Sequence, residues 1–323
     1  MQAGQNGQKI RCRSLLKYGE EALSKAEIPE AGLDAWLLLE YTAGVSRAWY
    51  YAHADETVSE TVQAAYTELI RKRASRVPLQ HLTHQAFFMG HEFYVDERVL
   101  VPRQDTEVLV EKALACLADF DKKLTIREID AAACEADAAA RETGPRILDM
   151  CTGSGCILLS LLAECRDAVG VGADLSEDAL AVAAENAERL SLQERAVFVK
   201  SNLFSSDFFL EKDGKTPEKY DMLISNPPYI PTAQIANLMD EVRLHDPRMA
   251  LDGREDGLYF YREISRQASG FLKPGGRILY EIGYDQGTAV KEILTECGFT
   301  EITVEKDLSG LDRVVAGRLQ TYV

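Results

Sequence analysis

Residues 146–155 read Arg-Ile-Leu-Asp-Met-Cys-Thr-Gly-Ser-Gly, a short apolar run that leads into a glycine-containing turn. A second apolar segment, 158–162, has helical character, so the pattern predicts a strand, a turn and a helix in that order. Gly153 and Gly155 allow the main chain to approach a ligand closely. Because ligands of open parallel sheets bind outside the carboxyl ends of the strands, this turn is the first candidate binding site.

The chain after this turn alternates between apolar runs and helical patterns. Ser176 is a favourable N-cap for a helix over 177–190. The predicted strands are 146–149, 169–174, 196–200, 220–225 and 277–281, followed by two that lie close together, 301–305 and 313–318. The alternation predicts an α/β fold with a Rossmann-like, seven-stranded sheet. Helices are expected on both faces, and the last two strands are expected to be antiparallel.

The first part of the chain has a different pattern. Apolar residues recur at helical spacing from Leu33 to Tyr41 and again from Val62 to Ile70, which predicts a small helical bundle. Strand-forming residues then cluster ahead of Pro102. The predicted domains are 1–84 for the helical bundle, 85–101 for a β-hairpin linker and 102–323 for the larger domain, with a probable surface insertion over 120–144.

A basic segment closes the second helical pattern. It consists of Arg71, Lys72, Arg73 and Arg76. Cations at a helix C-terminus are favoured by the helix dipole. The alternative is a docking face for an acidic or RNA-bearing partner.

Composition narrows the class of protein. Acidic residues number 52 against 36 basic ones, and a net charge of −16 repels a phosphate backbone, so a nucleic-acid substrate is not expected. No apolar run approaches the length of a membrane span, and the N-terminus lacks the apolar core of a secretory signal. We therefore expect a cytoplasmic monomer without a membrane partner. The seven cysteines form no Cys-x-x-Cys pair, so neither zinc nor a disulfide framework is predicted.

Asp174 is the second candidate binding residue. It ends the second predicted strand at about the 20-residue spacing typical of a ribose-binding carboxylate. A tight turn and an exposed aspartate without ligand-binding roles are the alternative, since many nucleotide folds share a glycine turn. No Gly-Lys-Ser/Thr sequence follows the turn, which argues against a triphosphate site.

The sequence Asn226-Pro227-Pro228-Tyr229 follows the fourth predicted strand of the larger domain. It should lie beside the first turn, at the same edge of the sheet. Two consecutive prolines fix the main chain and remove its donors. The Asn226 side-chain oxygen and the main-chain carbonyls can then accept hydrogen bonds from a planar NH2 group. A proline-rich turn without chemistry is the alternative.

These motifs resemble the release-factor glutamine N5-methyltransferases. An Asn-Pro-Pro-Tyr sequence after the fourth strand is typical of methyltransferases that modify planar NH2 groups: adenine N6, guanine N2 and glutamine N5. Phe88–Phe93 matches a Phe-x-Gly-x-x-Phe element, and Val101–Glu107 matches a Pro-Arg-x-Asp/Glu-Thr-Glu element. Glu281-Ile282-Gly283 with Gln286, and the segment from Asp307 to Arg313, look like the closing strands of the family. The resemblance covers nearly the whole chain.

The resemblance implies a cofactor, a substrate and a set of site residues. The cofactor is S-adenosyl-L-methionine, the product S-adenosyl-L-homocysteine, and the substrate the glutamine of the Gly-Gly-Gln motif of a peptide chain release factor, which the helical domain recognises. The implied catalytic residues are Asn226, Pro227, Pro228 and Tyr229. The implied cofactor-binding residues are Phe88, Arg103, Thr106, Asp149, Cys151, Thr152, Gly153, Ser154, Gly155, Asp174, Leu175, Asn202, Leu203 and Asn226. No metal is implied.

Several of these assignments have alternatives. Phe88 is equally typical of a residue in the hydrophobic core, and Thr106 is equally typical of a helix N-terminus. For Glu281 and Gln286, a structural role is the alternative. The chain also departs from the family pattern. Cys151 replaces the first glycine of the turn, Asn202 stands where many members have Asp, and 81–84 reads His-Leu-Thr-His where Tyr-x-x-Gly is common.

The expected chemistry is positioning rather than acid–base catalysis. The Asn226 oxygen and the Pro227 carbonyl are expected to accept the two amide hydrogens, with Pro228 and Tyr229 packed on the amide plane. A DNA or RNA adenine-N6 methyltransferase is the first alternative, although it usually needs a basic surface. A non-catalytic cofactor-binding module is the second, although such a module has no use for an amide clamp.

Overall fold

The computed structural model describes residues 10–130, 144–210 and 218–320. Its helices are α1 (Cys12–Lys25), α2 (Ala31–Ala43), α3 (Arg47–His53), α4 (Glu60–Ala74), α5 (Leu79–Thr83), α6 (Gln104–Asp130), α7 (Cys156–Glu164), α8 (Glu177–Arg189), α9 (Asp240–His245), α10 (Arg248–Leu251), α11 (Tyr259–Ala268) and α12 (Gly287–Glu296). Its strands are β1 (Ala86–Phe88), β2 (His91–Phe93), β3 (Arg146–Met150), β4 (Val169–Asp174), β5 (Ala196–Lys200), β6 (Tyr220–Ser225), β7 (Leu272–Glu281), β8 (Phe299–Lys306) and β9 (Asp312–Leu319). A 3-10 helix spans Thr232–Asn237.

The chain divides into two compact units. One comprises Met1–Gln85 with Leu238–His245, and the other Ala86–Asn237 with Asp246–Val323. The first division falls after Gln85, so that the hairpin belongs to the larger unit, and helix α9 belongs to the smaller one. Of the expected 120–144 insertion, helix α6 covers the start, and 131–143 lie outside the described residues.

In the smaller unit, α1, α2 and α4 pack around Leu15, Leu38 and Tyr66, which are all buried. Arg73, from the basic segment, is 6% exposed and pairs with Asp34 at 2.6 Å and with Glu241 of α9 at 2.8 Å. A buried arginine needs such partners to offset its desolvation. These pairs therefore explain why α9, although distant in sequence, belongs to this unit.

Arg71 and Arg76 of the basic segment also have partners within the smaller unit. Arg71 pairs with Glu68 one turn earlier at 2.7 Å. Arg76 donates to the main-chain carbonyls of Ala26 at 2.9 Å and Glu27 at 3.2 Å. These contacts favour a structural role at the end of α4 over a docking face.

The larger unit contains the predicted seven-stranded sheet, in the order β5-β4-β3-β6-β7-β9-β8. The strands are parallel except β9, which runs antiparallel to both β7 and β8. This confirms the α/β, Rossmann-like prediction. The chain moves outward from β3 to β4 and β5, then returns to place β6 on the other side of β3. A crevice forms at such a reversal, and ligands bind there.

Strand β7 begins at Leu272, earlier than the predicted start at 277, and includes the segment Lys273–Gly276. The ladder to β6 is interrupted between the Tyr220–Leu272 and Met222–Arg277 pairs. Pro274 has no N–H to donate, and Gly275 has φ +77°. The segment Lys273–Gly276 is therefore an irregularity within a strand.

The β1–β2 hairpin is shorter than predicted. The strands join through Met89 (φ +50°) and Gly90 (φ +75°) and end at Phe93. The later strand formers Val95 and Val99 are buried in a cluster with α8 and form no strand. Packing against the helix thus overrides their β propensity.

Candidate active site

The turn between β3 and α7 depends on main-chain conformations that favour glycine. Cys151, Gly153 and Gly155 have φ values of +63°, +55° and +77°. A side chain at Gly155 would bring Cβ within 3.1 Å of Cβ of Ala183, so glycine permits close packing of α7 on α8. Gly153 faces open space, since a Cβ there would meet nothing within 4 Å. The positive φ of residue 153 therefore favours glycine, and the absence of a side chain leaves this side of the cleft open.

Two carboxylates flank this turn. Asp174 accepts from the main-chain N–H groups of Gly153 and Ser176, both at 2.9 Å. Burial raises the pKa of Asp174, and these hydrogen bonds offset part of the rise. Asp149 is fully buried and accepts from the Thr152 hydroxyl at 2.6 Å. Burial raises the pKa of Asp149 to about 7.

The cleft at the reversal point brings most of the sequence-predicted residues together. Those that line it are Arg103, Thr106, Cys151, Thr152, Gly153, Ser154, Asp174, Leu175, Asn202, Leu203, Asn226 and Pro228. Others that line it were not predicted: Arg98, Pro102, Met150, Pro247, Met249 and Phe260 are examples. Asp149, Gly155, Pro227 and Tyr229 do not line the cleft and lie next in sequence to residues that do.

Phe88 is the exception among the predicted residues. It is 1% exposed, does not line the cleft and lies in the core, edge-to-face with Phe93 at 6.2 Å between ring centroids. Its expected contact with the cofactor is therefore corrected to a core role. An aromatic residue on a short hairpin gains more from packing under α6 and α7 than from a position in the cleft.

The carboxylate acceptors of this site fit an adenosyl cofactor that carries positive charge. Oδ1 of Asp149 is buried and meets no donor of full hydrogen-bonding geometry among residues 10–130, 144–210 and 218–320. Asp174 lies at the end of β4, on the cleft wall. Paired carboxylates favour hydroxyl donors and cations. Ribose hydroxyls, an ammonium group and a sulfonium all satisfy that preference.

The Asn226–Tyr229 turn continues β6 at the same edge of the sheet. Ser225 donates to the Met150 carbonyl, which ties this turn to the neighbouring one. Pro227 and Pro228 are buried, whereas Asn226 is half-buried and lines the cleft. Nδ2 of Asn226 donates to Oγ1 of Thr106 at 3.5 Å. Pro227 and Pro228 have no main-chain N–H group to donate to a ligand, but their carbonyl groups remain as acceptors.

Gln286 supports the turn from behind. Its Nε2 donates to the carbonyls of Tyr229 at 3.0 Å and Gly257 at 3.3 Å, and its Oε1 accepts from Gly283 N at 2.9 Å. A Cβ at Gly257 would lie 2.3 Å from the Tyr229 carbonyl oxygen, so only glycine fits there. These contacts fix the main chain of the turn.

Glu281, at the end of β7, is 2% exposed and accepts from the Tyr229 hydroxyl at 3.4 Å. Burial raises the pKa of Glu281 to about 7, and the Thr106 hydroxyl and Arg313 oppose this shift. Burial likewise raises the pKa of Tyr229. The Tyr229 hydroxyl therefore stays protonated and donates to the carboxylate.

Asn186 is a residue that sequence reasoning missed. It is fully buried in α8, donates to the carbonyls of Tyr94 and Ser154 at 3.0 Å each, and accepts from Tyr94 N at 2.7 Å. It thus fastens the segment after the hairpin to the 151–155 turn. Its sequence signal is weak, because an asparagine among alanines in an amphipathic helix also suits an exposed position.

Arg103 is also held in place at the cleft. Its Nη2 donates to Oδ2 of Asp246 at 3.1 Å, and the Asp246 side chain is 1% exposed. Arg103 itself remains half-exposed and lines the cleft. It is therefore available to an anionic group of a ligand.

Comparisons with known proteins identify the family of the chain. A family model described as the PrmC N-terminal domain matches residues 14–83, and one described as the Methyltransferase small domain matches 136–249. The release factor glutamine methyltransferase of Caulobacter vibrioides is 38% identical over 298 residues, which are 92% of this chain and 93% of that protein. The protein of the same name from Clostridium acetobutylicum is 36% identical, over 87% of this chain and 89% of its own.

The chain belongs to the release factor glutamine methyltransferase family. This confirms the resemblance found in the sequence, including the helical N-terminal domain. The family also contains the Cereibacter sphaeroides release factor glutamine methyltransferase, which is 36% identical over 96% of this chain and 99% of that protein.

One solved structure shares the fold of this chain. The hMettl16 catalytic domain, solved in complex with MAT2A 3′UTR hairpin 6, covers 79% of this chain and 83% of its own with a TM-score of 0.50 at 15% identity. The protein-(glutamine-N5) methyltransferase (release factor-specific) of Alicyclobacillus acidocaldarius is 26% identical over 71% of this chain and 99% of its own, with a TM-score of 0.37. In the part of the chain that the structure describes, no helix is long and apolar enough to cross a membrane.

Proposed function

We propose that this chain transfers the methyl group of S-adenosyl-L-methionine to the side-chain amide nitrogen, N5, of the glutamine in the Gly-Gly-Gln motif of a peptide chain release factor. The observation that carries the proposal is the Asn226–Tyr229 turn, which presents acceptors beside the cleft that Asp174 lines. Membership of the family supports the same substrate, since the relatives are named for it.

The cleft supplies the groups that would hold the cofactor. Asp174 would accept from the ribose hydroxyls, while the Asp149 carboxylate lies behind the turn that faces the methionine part. Arg103 would meet the cofactor carboxylate, and Leu175, Asn202 and Leu203 would surround the adenine. The bound cofactor supplies a methyl carbon that its sulfonium already activates.

The protein positions the amide. A glutamine side-chain NH2 has two hydrogens, and Oδ1 of Asn226 and the Pro227 carbonyl are the two acceptors proposed for them. Their alignment would aim the nitrogen lone pair at the cleft and stabilise the positive charge that develops on nitrogen. Pro228 and Tyr229 would pack on the amide plane. Methyl transfer itself acidifies the nitrogen, so the proton can leave to water or to a neighbouring carbonyl.

The smaller unit is proposed to recognise the release factor, and the larger unit to carry the reaction. A monomer in the cytoplasm fits this role, because release factors act there in translation. Nucleic acid is not a proposed substrate, since the net charge of −16 opposes binding to a phosphate backbone.

Methyl incorporation tests the proposal directly. The full chain is incubated with labelled S-adenosylmethionine and a bacterial release factor that carries Gly-Gly-Gln, with a Gly-Gly-Ala release factor as the control. Label should enter the first protein only, at glutamine N5. Label in DNA or RNA, with none in the release factor, would show a nucleic-acid methyltransferase instead.

A further inference from the structure

Thr106 occupies an unexpected position for a residue at the entrance of a cleft. It lies in the first turn of α6 and is 3% exposed. Its Oγ1 accepts from Nδ2 of Asn226 at 3.5 Å. A hydroxyl has one proton to donate and can accept as well. Since Thr106 accepts from Asn226, its own proton must be directed to another group.

Glu281 is the group that can take that proton. Its Oε1 accepts from the Tyr229 hydroxyl, but its Oε2 is buried and meets no donor of full hydrogen-bonding geometry in the described parts of the chain. Thr106 and Glu281 both contact the Asn226–Tyr229 turn, Thr106 at its first residue and Glu281 at its last. The Thr106 hydroxyl opposes the rise that burial causes in the pKa of the Glu281 carboxylate. An ionised carboxylate only accepts hydrogen bonds, so it attracts the proton of Thr106.

The order of these donors decides which way the Asn226 amide points. The two ends of an asparagine amide have nearly the same shape, and only its hydrogen-bond partners distinguish them. We propose that Glu281 and Thr106 are positioning residues, which hold Nδ2 of Asn226 away from the cleft and so present its Oδ1 to the substrate amide. If the side-chain amide of Asn226 were rotated by half a turn, its NH2 group would face the NH2 group of the substrate. Two hydrogen-bond donors cannot pair with each other.

The charge state of Glu281 controls this arrangement. A protonated Glu281 would donate to Thr106, and Thr106 would then donate to Oδ1 of Asn226, which reverses the amide. The titratable groups that face Glu281 are Asp105 of α6, Cys156 of α7, Tyr229, Tyr261 of α11 and Arg313 of β9. Because the pKa of Glu281 is about 7, the ionised fraction of Glu281 increases as pH rises through that value. Turnover should therefore rise with pH across about 6 to 8 and then level off.

Kinetics of matched variants test the inference, which rests on the proposed function. Thr106→Val keeps the shape and removes the hydroxyl, Thr106→Ser keeps the hydroxyl, and exposed Thr295→Val is the control. Thr106→Val should lower kcat by about 10- to 100-fold, as loss of an orienting partner does elsewhere, with KM and cofactor Kd little changed. Thr106→Ser should restore most of the turnover. Glu281→Gln should lower kcat and abolish its rise near pH 7.

A stability measurement distinguishes a folding defect in Glu281→Gln from loss of the proposed positioning role. The folded-state pKa of Glu281 lies above its usual value of 4.5, so the folded state loses stability relative to the unfolded state as pH rises from about 4.5 to 7. Glu281→Gln removes that penalty, and its Tm at pH 8 should equal or exceed that of the natural chain. A purely structural Glu281 would instead give a lower Tm.

A spectroscopic measurement keeps the inference independent of the substrate. In the full chain labelled at asparagine amides and threonine methyls, the Asn226 NH2 resonance, assigned with Asn226→Asp, should show an NOE to the Thr106 methyl at pH 8. The NOE should weaken at pH 5.5 in the natural chain, whereas in Glu281→Gln it should be weak at both pH values.

The two sets of results have distinct meanings. A chain that methylates no release factor but shows the NOE and its pH dependence would refute the proposed substrate and leave the orientation mechanism standing. An absent NOE, or a Thr106→Val variant with unchanged kcat, would overturn the inference while methylation of the release factor stands. A Thr106→Val variant that only weakens cofactor binding would assign Thr106 to the cofactor.

Discussion

The two turns at the carboxyl edge of the sheet follow adjacent strands, β3 and β6, yet they are built in opposite ways. The 151–155 turn uses positive φ values and lies between two carboxylates. The Asn226–Tyr229 turn uses two prolines and takes its support from Gln286 and Glu281. The first is shaped by its own main chain, whereas the second is held by side chains from distant segments.

The difference matches what each turn is proposed to bind. A bound nucleoside needs a close approach of the main chain and carboxylates for its hydroxyls, which local sequence can supply. A planar amide needs acceptors at fixed angles, and these must be immobilised from outside the turn. Changes in the first turn should therefore affect cofactor affinity, and changes in or behind the second should affect turnover.

Replacement of Asn226 is expected to have the largest effect on turnover. Asn226→Ala removes the proposed acceptor and should lower kcat by about 100-fold or more, by analogy with loss of one preorganised polar contact. Turnover is measured at saturating labelled cofactor, with cofactor affinity by calorimetry. Exposed Asn237→Ala is the control. A drop in cofactor affinity with unchanged kcat would break the division between the two turns.

Asp174 tests the first turn. Asp174→Asn should raise the cofactor Kd by about 10- to 100-fold, since a hydrogen bond to a charged group contributes about 1.5–3 kcal/mol. The kcat at saturating cofactor should change little. Titration calorimetry gives the Kd, and exposed Asp178→Asn in the same region provides the comparison. The assignment fails if Asp174→Asn binds cofactor normally and turns over slowly.

Gln286 tests the support of the second turn. Gln286→Leu leaves the Tyr229 and Gly257 carbonyls without their donor and should cost about 1–3 kcal/mol of stability. We expect kcat to fall about 10-fold while the cofactor Kd is retained. Denaturant unfolding and steady-state kinetics measure the two effects. Gln267→Leu, at an exposed glutamine of α11, should affect neither.

The smallest effect concerns Cys151, which has φ +63°. Alanine is normally more stable than glycine, but a left-handed conformation costs a residue with a Cβ about 1–2 kcal/mol. Cys151→Gly should therefore be more stable than Cys151→Ala by about 1 kcal/mol. Thermal unfolding of this pair gives the comparison. An alanine variant that is the more stable of the two would show that the turn relaxes.

Much of the fold was predictable because its signals are local. Apolar runs marked each strand of the sheet, and Ser176 caps α8 as expected, accepting from Ala179 N at 3.1 Å. Predictions went wrong where packing competes with propensity. Val99 is strand-forming but is buried against α8, and Phe88 is in the core.

The sequence by itself determined the order of strands and helices, the two strand-end turns and the residue types that face the cleft. Only the tertiary structure decided which distant residues complete the site. Asn186, Gln286 and Glu281 act through contacts with main chain or side chains that are 32 to 92 residues away. Their roles depend on burial and hydrogen-bond direction, which arise when the segments pack, so no local pattern encodes them.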